Sequence, residues 1–154
     1  MTPPDQSTLR ALYINTWQKS KTQALLTPLE SQIAQVISEH PEYHMRLKPE
    51  HLNAQYFPEL QQTNPFLHMG LHLALREQVA TDRPAGIHAI FKTLLGKTQD
   101  PLQAEHQMMD ALIEALWHAQ RNNTLPDEGA YVKALQALII QGQGQAQRVT
   151  QALT

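Results

Sequence analysis

The segment from Asn64 to Val79, NPFLHMGLHLALREQV, constrains the fold more than any other part of this 154-residue chain. At the helical spacing of about 100° per residue, His72, Leu75 and Val79 all fall within about 40° of His68. Phe66, Leu67, Gly70, Leu73 and Ala74 carry apolar character around most of the remaining surface, while Arg76, Glu77 and Gln78 cluster at one end. A helix that is apolar on nearly every side has to be covered on nearly every side. The two histidines go into the interior with it. Each then needs a partner, because a buried polar group left unsatisfied costs about 1–3 kcal/mol.

The cover is predicted to be helical. Leu9, Leu12, Tyr13, Thr16 and Trp17 form one stripe at helical spacing. Thr27-Pro28-Leu29-Glu30 reads as a capping box with proline at the first helical position. It opens a helix whose face carries Leu29, Ile33, Val36, Ile37 and His40, and which Pro41 stops or kinks. The stretch from Met45 to Thr63 holds Pro49 and Pro58 and reads as a connection with a short helix inside it. Asn64-Pro65 and Asp100-Pro101 are further cap-and-proline starts. Asp82, Arg83 and Pro84 close the helix that Asn64 opens. A fourth helix then runs through Ile87, Ile90, Phe91, Leu94 and Leu95 to Gly96, and Asn122-Asn123 breaks the helix that Asp100 opens. Pro126-Asp127 starts a last helix through Tyr131, Leu135, Leu138 and Ile139. No β alternation and no internal repeat stands out. The reading is an all-α bundle of about six helices, with its central helices near 64–80 and 100–121. It forms a single domain over 1–140. The glutamine-rich end, 141–154, has little to bury and is expected to be frayed or disordered.

Composition removes several classes of function. There is no cysteine, so thiolate catalysis, zinc fingers, disulfides and iron–sulfur clusters are out. A net charge of −2 offers no basic surface for nucleic acid. No apolar run approaches the roughly 20 residues of a membrane span, and the start lacks the pattern of a signal peptide. A cytoplasmic protein without nucleic-acid or membrane partners is the expectation. His68-Met-Gly-Leu-His72 has the histidine spacing of HExxH, but methionine stands where the general-base glutamate belongs. Gly96-Lys97-Thr98 resembles the end of a P-loop, yet the first glycine would have to stand at Phe91.

What remains is a set of histidines and carboxylates on apolar helix faces. On the helix from Asp100 to Arg121, Glu105 falls in the middle of the face formed by Met108, Met109, Leu112 and Leu116. His106 lies on a second edge with Ile113 and Trp117, and Asp110 follows one turn later. His40 sits at the centre of its own helix's apolar face, and His44 follows one turn on if helicity survives Pro41. Histidine and carboxylate pairs spaced i, i+4 on facing helices are how bundles build metal sites. The candidate ligands are His68, His72, Glu105, His106, Asp110 and His44, and iron, manganese or zinc would suit such nitrogen and oxygen donors. In the alternative reading the same residues form an internal hydrogen-bond network in a non-enzymatic structural or adaptor protein, with Glu105 paired to Arg76, Arg121 or a histidine. No nucleophile or cofactor motif supports a particular enzyme.

HPEYH at 40–44, NPFLHMGLHLALREQVATDRPAG at 64–86 and AEHQMMDALIEALW at 104–117 resemble the bacterial domain-of-unknown-function family 1841. The resemblance extends over most of the chain to about Gln120 and implies a small intracellular bacterial protein without an established activity. Leu102 and Asp110 depart from that family's third motif, which has histidine and glutamate there, and the change at Leu102 leaves its ligand set short. The spacings His68–His72 and His106–Asp110 are also similar to those of hemerythrin-like bundles, a resemblance of architecture alone.

Overall fold

The computed structural model describes the backbone of residues 6–57 and 63–153 and the side chains of residues 7–57 and 63–140. Among these residues there is no strand. The fold is all-α, as the periodicity predicts: α1 (Gln6–Lys21), α2 (Pro28–Ser38), α3 (Pro65–Thr81), α4 (Ile87–Thr98), α5 (Pro101–Arg121) and α6 (Glu128–Leu153), with 3-10 helices at Pro41–Arg46 and Pro49–His51. None of these helices is long and apolar enough to cross a membrane. Packing groups the chain into two compact units, Met1–Leu73 and Ala74–Thr154. The boundary falls inside α3, so no change of composition marks it.

In the first unit α1 packs on α2, and α2 on the 3-10 helix that follows it. Tyr13, Ile14, Ile33, Val36, Ile37, Tyr43, Leu47, Phe66 and Met69 form the core, with Leu12, Trp17, Leu52 and Leu73 against it. Burial pushes the Tyr13 hydroxyl up to about 12, so it stays protonated through the neutral range. The capping box at the start of α2 is complete. Thr27 Oγ1 accepts from the Glu30 amide at 3.1 Å, and Glu30 Oε1 accepts from the Thr27 amide at 3.0 Å. Glu30 Oε2 also takes the ammonium of Lys19 at 2.8 Å, which ties α1 to α2.

The Lys19 ammonium, with help from the Thr27 amide, holds the Glu30 carboxyl below its ordinary value of 4.5. A folded-state value below the unfolded one stabilises the protein above that pH, and the gain is lost as the pH falls through the folded value. Glutamine serves the capping box but carries no charge, so Glu30→Gln keeps the cap and removes the acid-sensitive part. On acidification below the ordinary value, the wild-type urea midpoint should fall more steeply than that of Glu30→Gln. Parallel pH profiles would show that the Lys19 contact contributes nothing to stability.

The second unit is built on α4, α5 and α6, each of which packs on the other two. Asp82 Oδ1 accepts from the amides of Gly86 and His88 at the head of α4. Gly86 takes φ +99 there, a conformation glycine adopts without strain. Asp100 caps α5 through the Leu102 amide at 3.0 Å, and Asp127 caps α6 through the Ala130 amide at 3.0 Å. Leu75, Ile87, Leu94, Met108 and Leu135 are almost completely buried. The Tyr131 hydroxyl on α6 donates to Gln78 Oε1 in the second half of α3 at 2.7 Å. The expectation of a frayed end at 141–154 falls on side chains that lie outside the described residues.

Candidate metal centre

The site starts where α2 ends. The helix stops at Ser38, and His40 leaves it at φ −126 and ψ 64 to begin the 3-10 helix that Pro41 opens. The turn brings the His40 ring back over the last turn of α2, where Nδ1 donates to the Val36 carbonyl at 2.7 Å. Only 3% of the residue is exposed. A nitrogen facing a carbonyl at that distance carries the hydrogen, so in the neutral ring the lone pair sits on Nε2. That Nε2 is buried and has no hydrogen-bond partner. The ring stacks on Tyr43, with centroids 5.6 Å apart and planes within 3°. Burial holds the Tyr43 hydroxyl above its ordinary range, with Glu42 adding to the effect and Arg46 opposing it.

α3 supplies two more imidazoles. Asn64 Oδ1 accepts from the amides of Phe66 at 3.1 Å and Leu67 at 3.3 Å, and Pro65 fills the first position. The helix therefore starts in a register that puts His68 and His72 one turn apart on one face. His72 is completely buried and His68 partly so. Their Nε2 atoms stand 3.2 Å apart. The His40 ring centroid lies 5.2 Å from that of His68 and 4.7 Å from that of His72. One ring nitrogen of each of these three histidines lies within 4.8 Å of the other two. Two nitrogens bound to one tetrahedral zinc stand about 3.3 Å apart, the geometric consequence of bonds of about 2.0–2.1 Å. The His68–His72 separation is therefore already that of two ligands on a shared ion.

The other predicted ligands have different settings. His44 turns its Nε2 to the Ile37 carbonyl at 2.8 Å and packs its ring on Trp17, with centroids 4.4 Å apart. Glu105, in the second unit, is buried on the apolar face of α5, as its position on the helical wheel predicts. It is held by Arg76 through Nε to Oε2 at 2.9 Å and Nη2 to Oε1 at 3.1 Å. This is one of the pairings the sequence allows. His106, also on α5, is partly buried, and Asp110 is exposed. Trp117, which has the periodicity of a core aromatic, is 51% exposed with the Arg121 guanidinium 5.1 Å from its ring centroid. His88 and His118 are exposed, and His51 is half-buried.

The sequence sets His40 on an apolar helix face and His44 one turn on if helicity survives Pro41. In the structure the proline ends the α-helical register and a 3-10 helix follows, so the two histidines do not share a helix face, and the His40 ring is the one that lies beside those of His68 and His72.

A family model described as Domain of unknown function (DUF1841) matches residues 5–137. Compared with curated proteins and with solved structures, the chain has no match.

Proposed function

Because the chain belongs to the DUF1841 family, a domain of unknown function, its role has to be argued from its own chemistry, and we propose that His40, His68 and His72 bind one transition-metal ion. The observation that carries this reading is the buried Nε2 of His40, which has no hydrogen-bond partner while Nδ1 is fixed on the Val36 carbonyl. A carbonyl behind a ligating imidazole sets its tautomer and raises its basicity, the usual arrangement around protein metals. Donors that are all imidazole, with neither thiolate nor carboxylate among them, favour zinc, copper or nickel over manganese. Zinc is the ion of choice in this reading, held between His40, in the turn after α2, and the first half of α3.

The competing reading is an internal hydrogen-bond network in a structural or adaptor protein. It is favoured by the 3.2 Å contact between His68 and His72, which one proton can bridge. It leaves the His40 nitrogen unserved, at a cost of about 1–3 kcal/mol.

Calorimetry on untagged, metal-stripped protein separates the two. Zinc should bind at one equivalent, manganese far more weakly, and His40→Phe should weaken zinc binding by at least about ten- to a hundred-fold. The same titration on His106→Ala tests whether the second unit adds a donor, and an unchanged affinity would confine the site to the first unit. Wild type that takes up no zinc, or His40→Phe that binds it as tightly, would leave the network reading standing.

A further inference from the structure

The first unit carries a second polar cluster, independent of the metal reading, built on Arg10 of α1. Arg10 is 3% exposed. Its Nη1 donates to the carbonyls of Leu52, at 3.2 Å, and Ala54. The guanidinium carbon lies 5.1 Å from the centre of the Phe66 ring and 5.4 Å from that of Tyr56. Nε is buried without a hydrogen bond, and no carboxylate pairs with the group among the described residues. Guanidinium stays charged at every relevant pH, and burying its charge is unfavourable unless something offsets it. Two carbonyls and two ring faces offset part of that penalty, but they supply no countercharge.

The bonds on Nη1 leave the edge made by Nε and Nη2. In this same chain, Arg76 uses that edge to hold the two oxygens of Glu105. The two parallel N–H groups match the spacing of a carboxylate.

Arg10 and Asn64 together line two cavities of different character. One, of about 340 Å³, is polar and also bordered by Ser7, Asn53 and Gln55. Asn53 Oδ1 accepts from Ser7 Oγ at 3.0 Å, and Asn64 Oδ1 accepts from backbone amides of α3. Both side chains therefore keep their NH2 groups as donors. The second cavity, of about 590 Å³, is lined by Tyr13, Phe66, Gly70 and Leu71, with the exposed Leu9 and Leu67 at its rim. Volumes of this order are ordinary for small-molecule sites.

We propose that this site binds a small amphipathic carboxylate. The carboxylate sits on the Nε–Nη2 edge of Arg10 with the asparagine amides beside it. The hydrocarbon body lies against Tyr13, Phe66 and Leu71 and enters past Leu9 and Leu67.

Octanoate is the probe, titrated into the untagged full chain and followed by calorimetry and by chemical-shift changes, with octanol, acetate and inorganic phosphate as controls. Octanoate should bind saturably at low-millimolar concentrations or below. Octanol and acetate, each lacking one half of the recognition, should bind about ten-fold or more weakly, and phosphate should not compete. Arg10→Lys keeps the charge but loses the fork, and it should weaken octanoate by about ten-fold or more. Because Arg10 also anchors two backbone carbonyls, Gly70→Leu provides a variant that leaves the arginine in place. A Cβ at position 70 would meet Tyr13 Oη at 3.6 Å, an ordinary contact, and the rest of the leucine is meant to narrow the apolar cavity, with an unchanged unfolding midpoint as the check that the variant keeps its fold. Octanoate should again bind about ten-fold or more weakly. Octanol binding as tightly as octanoate, phosphate displacing it, or Gly70→Leu retaining wild-type affinity would each overturn the proposal.

Discussion

Replacing Arg76 with methionine should cost about 3–5 kcal/mol of stability, the usual price of removing one partner from a buried ion pair. The substitution keeps most of the apolar stem, so the loss is mainly electrostatic. What makes it large is the asymmetry of burial: the Arg76 side chain is 27% exposed, whereas that of Glu105 is 5% exposed on the face of α5. Without the guanidinium, the carboxylate is left buried with its charge uncompensated by an arginine. Pairing the change with Glu105→Leu should recover part of the loss, since the second substitution removes the buried charge. Urea unfolding of the two single variants and the double variant gives the coupling directly. A loss below about 1 kcal/mol for Arg76→Met, the range of an exposed pair, would show that Glu105 does not depend on Arg76.

Zinc should stabilise the wild type by about 2.7 kcal/mol when its free concentration is a hundred times the dissociation constant. His72→Gln keeps a group that can hydrogen-bond but loses a good transition-metal ligand. Its stability should therefore hardly respond to zinc, and a strong chelator should bring the two proteins close together. The complete burial of His72 makes it the sensitive position, because no solvent-exposed side chain can take over its place in the cluster. If His72 acts only through hydrogen bonds, zinc and chelator should leave both proteins unchanged, with the variant lower by about 1–3 kcal/mol. A wild type whose unfolding is insensitive to both additions would remove the metal reading.

The helix starts were legible because a cap is local chemistry. Thr27, Asn64, Asp100 and Asp127 each satisfy amides within three residues of themselves, so a short window of sequence contains the whole interaction. Glu105 was legible for a similar reason: its place on the α5 face follows from helical geometry alone, and a carboxylate there has to be paired. Trp117 shows where periodicity stops. It belongs to the apolar pattern of α5, but which part of that pattern is covered depends on how much surface the neighbouring helices reach, and half of the indole is left in solvent.

The histidines divide along the same line. Helical spacing by itself determined that His68 and His72 share a face and that the face is apolar. Whether His40 or His44 joins them was decided by the turn after α2, where the ψ of 64 at His40 and a 3-10 helix replace the α-helical register. The tertiary structure alone sorted the nitrogens, sending His44 Nε2 to a carbonyl and turning His40 Nε2 inward without a partner. The two ends of an imidazole ring are chemically alike in the sequence. They become different only when the backbone dihedrals bring a carbonyl to one end and the fold buries the other.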